Sequence, residues 1–115
     1  MFNFENLEVY KRSLKFANLT YNIINKWPKE CAFSLTDQLR KAALSIVLNI
    51  AEGASRTKLE FKRFLTISRG SSHECAVIIE IAYKQGIIDP IRKEDLLNEL
   101  VIISKMLSKL KSSIA

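Results

Sequence analysis

Glycine and proline are so scarce in this chain, three and two in 115 residues, that they leave only four uninterrupted segments, each with apolar residues at helical spacing. Trp27-Pro28 closes the first segment, Gly53 the second and Gly86 the third, and Asp89-Pro90 opens the fourth. In residues 5–26, Leu7, Tyr10, Leu14, Ala17, Tyr21 and Ile24 recur at intervals of three and four, as an inward seam requires. The second helix is predicted from Thr36, an N-cap behind the apolar Leu35, to Ala51, with Gly53 in the left-handed conformation that closes a helix. Thr57-Lys58-Leu59-Glu60 has capping-box spacing and starts a third helix that ends at Gly86, with Gly70 as a midway bend. Asp89 and Pro90 supply a cap and a first-turn proline for the fourth. Its seam is Leu96 or Leu97, Leu100, Ile103 or Ser104, Leu107, Leu110 and Ile114. Short connections make consecutive helices antiparallel. The expected fold is therefore all-α, an antiparallel up-down-up-down four-helix bundle forming one domain over residues 1–115.

An apolar content of 48% fills one core of this size but not two. No apolar run reaches membrane-spanning length, and Met1-Phe2-Asn3-Phe4-Glu5 lacks the basic start of a secretory signal, so a soluble, cytoplasmic protein is expected. Cys31 and Cys75 lack metal-ligand spacing and are read as free thiols. His73 is the only histidine, and Gly70 stands where a Glu-x-x-His metal motif needs its carboxylate. Ser72 and His73 are consecutive on a helix and point apart, which is wrong for a nucleophile and its base. These residues predict no enzyme, no cofactor and no metal. Ser68, Ser71 or Ser72, and Cys75 instead continue the inward stripe of Phe61, Phe64 and Leu65, where small hydroxyls let helices approach and satisfy Asn49 or a backbone carbonyl.

The apolar surface exceeds what four inward stripes need. Val9, Phe16 and Ile23 form a second ridge on the first helix with Leu19 beside it, Cys75 to Tyr83 is apolar all round except at Glu80, and Leu100-Val101-Ile102-Ile103 fills a whole turn. A helix apolar on every side needs burial on every side, so self-association is expected through Phe16, Val77 and Ile81 or the Leu100 to Ile103 turn.

The net charge of +6 is unevenly spread. One end of the predicted bundle gathers Lys11, Arg12, Lys15, Arg56, Lys58, Lys62, Arg63, Arg69, Lys105, Lys109 and Lys111 against Glu5, Glu8, Glu52 and Glu60. Such an end suits RNA or DNA, with Lys11, Arg12, Lys15, Lys58, Lys62 and Arg63 as phosphate contacts. No base-reading motif accompanies them, so little sequence preference is expected. The alternative is a scaffold or accessory subunit whose basic end docks an acidic protein.

Ser45, Asn49 and Glu52 follow one another at four and three residues and form a polar ridge beside the apolar Leu39, Ala43, Ile46 and Ile50. Asn49 is expected to be buried and to join adjacent helices by hydrogen bonds. Glu52, at the unfavourable negative end of its helix, needs a partner. The string Asn49-Ile50-Ala51-Glu52-Gly53, with Leu35 to Ala43 before it and Gly70-Ser71-Ser72-His73-Glu74 after it, resembles the four-helix bundle proteins encoded in intervening sequences of 23S ribosomal RNA genes. The likeness runs from about Phe4 to the last helix. Two departures stand out: Val47 where the family has a proline, and Ser72 and Cys75 where it tends to leucines. The resemblance implies a small cytoplasmic helical protein that assembles as a ring, often a pentamer, without established catalysis. It also implies relatives that accompany reverse transcriptases and engage nucleic acid and the polymerase through a basic surface.

Overall fold

A computed structural model describes residues 2–115; Met1, where the expected domain begins, lies outside the described residues. A 3-10 turn at Asn3–Asn6 precedes α1 (Glu8–Ile24), and a 3-10 turn at Lys29–Cys31 and a π-helical stretch at Ala32–Thr36 lead into α2 (Asp37–Ala54). α3 spans Lys58–Lys84 and α4 spans Pro90–Ser113. Side-chain pairings fix the directions. Ser45 meets Ser71 while Gly53 lies against Phe61 and Phe64, so α2 and α3 are antiparallel. Glu80 pairs with Lys93 while Arg69 meets Ser104, so α3 and α4 are antiparallel. α1 packs against α2 and α4, which closes the up-down-up-down bundle. The rod measures 44 × 21 × 20 Å, close to the ~40 Å expected for the length of α3.

Three predicted caps are present. Thr57 Oγ1 accepts from the Glu60 amide and Glu60 Oε1 accepts from the Thr57 amide, so two free donors of α3 are satisfied reciprocally. The Thr57 hydroxyl, donating to Glu60 Oε1 at 2.9 Å, and the Thr57 amide also hold the Glu60 carboxyl below the usual carboxylate range. Asp89 accepts from the Arg92 amide at 2.8 Å with Pro90 in the first turn of α4. Gly86 has φ 74°, the left-handed conformation that lets the chain leave α3.

Other boundaries differ from those predicted. Leu7 is extended and breaks residues 5–26 into a 3-10 turn and α1. Thr36 continues the preceding π-helical stretch with α-helical dihedrals and makes no capping bond, so it is not an N-cap. α2 runs through Ala51 to Ala54, and the buried Gly53 does not adopt positive φ; its role is to let α3 approach. α3 continues without interruption through Gly70.

The inward face of α1 is also corrected. Its buried residues are Val9, Ser13, Phe16, Thr20 and Ile24, whereas Leu14 and Tyr21 of the predicted seam are exposed. Two faces of this helix compete for the core. The winning face interleaves the bulky Val9, Phe16 and Ile24 with small Ser13 and Thr20, so that the neighbouring helices can approach. Those hydroxyls make the core face look polar in sequence. Ser13 Oγ, Thr20 Oγ1 and Thr36 Oγ1 are buried without a hydrogen-bond partner. A buried, unsatisfied hydroxyl destabilises, so Thr20→Val, which keeps the shape and removes the polar atom, is expected to add about 1 kcal/mol. A thermal melt should move up by about 4 °C; a lower melting temperature would mean that the hydroxyl has a partner in solution.

Candidate nucleic-acid interface

The polar ridge belongs to the α2–α3 seam. Ser45 Oγ and Ser71 Oγ share a hydrogen bond of 2.8 Å, and Ser68 Oγ donates to the Ile46 carbonyl at 2.8 Å. Asn49 is only half-buried, and its amide donates at 2.8 and 2.9 Å to the carbonyl and hydroxyl of Ser45, one turn back on its own helix. The expectation that Asn49 joins two helices is therefore corrected. The close approach of α2 and α3 leaves room between them for hydroxyls, and Asn49 supports the serine that makes the link. Glu52 is exposed, and the partner it needs proves to be Arg56, whose Nε donates at 2.9 Å. Arg56 also lies 3.7 Å from Glu60 and 5.5 Å above the Phe64 ring, fastening the turn between α2 and α3. The bond to Glu52 raises the Arg56 pKa above its ordinary value.

The basic end separates into compensated and uncompensated charges. Lys11 pairs with Glu8 at 3.4 Å, and Arg12 Nε donates to Glu99 of α4 at 2.6 Å, which raises the Arg12 pKa. These two residues and Lys15 line a groove between α1 and α4 together with Glu8, Asp95 and Glu99. Acidic side chains there offset the cations. Among the described residues of this end, Lys15, Lys58, Lys62, Arg63, Arg69, Lys105, Lys109 and Lys111 make no ion pair, and all but Lys15 lie on α3 and α4; at the other end Lys26, Lys29 and Lys84 are unpaired. The six predicted phosphate contacts thus separate, with Lys15 between the two sets, unpaired but in the groove that carries Glu8, Asp95 and Glu99. Lys58, Lys62 and Arg63 belong to the uncompensated face, whereas Lys11 and Arg12 are engaged by carboxylates.

A second groove of 380 Å³ lies between the start of α3 and the finish of α4, lined by Lys62, Leu65, Thr66, Arg69, Leu107, Ser108, Lys111 and Ser112. It has three cations and no carboxylate. Arg69 and Lys111 were part of the basic end in sequence, but the groove that joins them to Lys62 depends on the register of α3 against α4. That register is marked by the Arg69–Ser104 bond of 3.2 Å, for which the sequence carries no signal.

The apolar excess occupies opposite sides of the bundle. Between α3 and α4, Ala76, Val77, Ile81 and Leu97 line one shallow groove, and Leu97, Leu100 and Val101 continue into the next. Val77 is 58% exposed and Ile81 43%. Between α1 and α2, Leu14, Ala17, Tyr21, Leu44 and Val47 line another. Phe16, predicted at an interface, is 1% exposed and fills the core of the bundle. That reading is corrected, because Phe16 lies on the inward face of α1. Among the described residues no group of three or more His, Cys, Asp and Glu side chains could hold a metal, and no helix is long and apolar enough to cross a membrane. Cys75 is buried, and burial pushes its thiol up to about 12, so it packs as an inert residue.

A family model described as 23S rRNA-intervening sequence protein matches residues 5–109. Among solved structures, the chain is similar to a protein of unknown function from the S23 ribosomal protein family of Bacteroides thetaiotaomicron. The two share 23% identity over 91% of this chain and 96% of that one, with a TM-score of 0.85. At that identity the likeness shows a common fold. No curated protein matches the chain.

Proposed function

Because the chain belongs to the 23S rRNA-intervening sequence protein family, we propose that it is a non-enzymatic protein that assembles with its own copies and binds RNA or DNA through its basic end. The observation that carries this reading is the concentration of unpaired cations on α3 and α4. A stability role would favour pairing these charges with carboxylates, as happens to Arg12 and Arg56. Left unpaired, they keep full attraction for a polyanion. Assembly is supported by the two exposed apolar faces. They are different surfaces on opposite sides, so the contact that buries both is heterologous, head to tail, and closes into a ring when the rotation allows. A pentamer is the ring that the resemblance implies. Each copy then contributes its basic end to one larger positive surface.

The test is a binding titration against RNA, single-stranded DNA and duplex DNA at several salt concentrations, with light scattering on the same preparation. Binding is expected with little sequence preference and to weaken by roughly 10³-fold or more between about 50 and 200 mM salt, as counterion release predicts for many phosphate contacts. Light scattering should give several subunits at micromolar protein. Absence of retardation at about 50 mM salt, where phosphate contacts are favoured, would instead leave the basic end to an acidic protein partner, a reverse transcriptase among them.

A further inference from the structure

We propose that the groove between α3 and α4 is a backbone-tracking phosphate subsite, in which Lys62, Arg69 and Lys111 hold phosphates of one nucleic-acid strand. This rests on the nucleic-acid reading above and says which surface does the holding. Lys62, Thr66 and Arg69 follow one another at intervals of four and three residues and so share one face of α3. Lys111 closes the groove from α4. Arg69 is held in place by its Nε bond to Ser104, and its terminal nitrogens have no carboxylate partner. The floor is Leu65 and Leu107, each 1% exposed, so the cations act beside an apolar wall that screens them less than water does.

The hydroxyls sort themselves by their protons. Thr66 Oγ1 donates to the Lys62 carbonyl at 3.0 Å and can only accept. Ser108 and Ser112 make no side-chain hydrogen bond among the described residues and are free to donate to phosphate oxygens. Helix dipoles nearly cancel here, because the positive end of α3 stands beside the negative end of α4, each equivalent to about half a charge. Three whole charges therefore decide the sign of the groove. Lys62 and Arg69 are separated by about 10 Å along the helix, which suits successive phosphates of a strand better than one compact anion.

The decisive comparison removes equal charge from two places: Lys62→Gln, Arg69→Gln and Lys111→Gln together, and Lys26→Gln, Lys29→Gln and Lys41→Gln together as a control at the other end. Binding of a mixed-sequence single-stranded RNA is measured against salt, with inorganic tripolyphosphate as competitor. The groove variant should lose at least about tenfold in affinity, and its salt slope should shrink by about 2 per engaged subunit, given ~0.7 per single-strand phosphate contact. The control should bind as the wild type does, and tripolyphosphate should compete only weakly. If the groove variant binds like the wild type, or if both variants lose equally, the groove is overturned while nucleic-acid binding stands. Strong competition by tripolyphosphate would turn the site into one for free polyphosphate. If the wild type itself does not bind at low salt, both readings fall. Circular dichroism checks the fold; should the triple variant lose helicity, Lys111→Gln alone, exposed in the last turn of α4, must show about a third of the change in slope.

Discussion

Phe16→Glu is expected to abolish folding, whereas Val77→Glu is expected to leave a folded subunit that no longer assembles. In sequence the two residues look alike, as surplus apolar side chains on amphipathic helices. In the structure Phe16 has 1% of its surface exposed and Val77 has 58%. Truncating a core phenylalanine costs about 3–5 kcal/mol, and a buried, unpaired carboxylate adds several more. Against a total stability of about 5–15 kcal/mol, that sum consumes most or all of the margin. Val77→Glu places its charge in water in the free subunit and buries it only if the α3–α4 face meets another copy. Circular dichroism should show lost helicity for Phe16→Glu and native helicity for Val77→Glu, with light scattering reporting a smaller particle for the latter. A folded, monomeric Phe16→Glu protein would return that residue to an interface, and a Val77→Glu protein of wild-type size would remove the α3–α4 face from one.

Helix order and direction were legible because they rest on local chemistry. The Thr57–Glu60 box, the Asp89-Pro90 start and the left-handed Gly86 each satisfy a backbone need within a few residues. What was not legible depends on partners distant in sequence. Whether Ser13 and Thr20 face the core or solvent depends on which ridge of α1 best fits its neighbours, and hydropathy reads them as polar. The π-helical stretch at Ala32–Thr36 has no composition signal of its own, and it turns Thr36 from a cap into a buried packing residue.

The candidate interface divides along the same line. Charge segregation toward one end follows from helix order alone, and so was visible. Compensation was not visible: Glu99, 87 residues from Arg12 along the chain, cancels it across the α1–α4 groove. Arg69 and Lys111 gain importance only because the α3–α4 register places them beside Lys62 in a groove without acids. Sequence can sum the charges on an end, but tertiary packing decides which of them remain free for a ligand.

Gly53→Ala and Gly70→Ala, the same substitution on adjacent helices, are expected to change stability in opposite directions. A Cβ at Gly53 would stand 2.6 Å from the Phe64 Cβ and 2.9 Å from a Phe61 ring carbon. The Phe64 Cβ is fixed to the backbone of α3 and cannot swing aside, so the helices must part. Parting them strains the Ser45–Ser71 and Ser68–Ile46 hydrogen bonds, which cross the same seam. Overpacking of this kind costs about 1–3 kcal/mol, each weakened hydrogen bond adds up to about 1 kcal/mol, and the better helix propensity of alanine returns about 1 kcal/mol. The net loss is about 2 kcal/mol, which lowers the melting temperature by roughly 8 °C. At Gly70 the added methyl meets nothing within 4 Å on an exposed face in mid-helix. Only the propensity gain remains there, so Gly70→Ala should stabilise by about 0.5–1 kcal/mol. Thermal melts of the two variants decide the matter. A Gly53→Ala protein as stable as the wild type would mean that α2 and α3 do not approach as closely as the serine bonds require, and would leave the glycine that ends the Asn49 to Gly53 string without a packing reason.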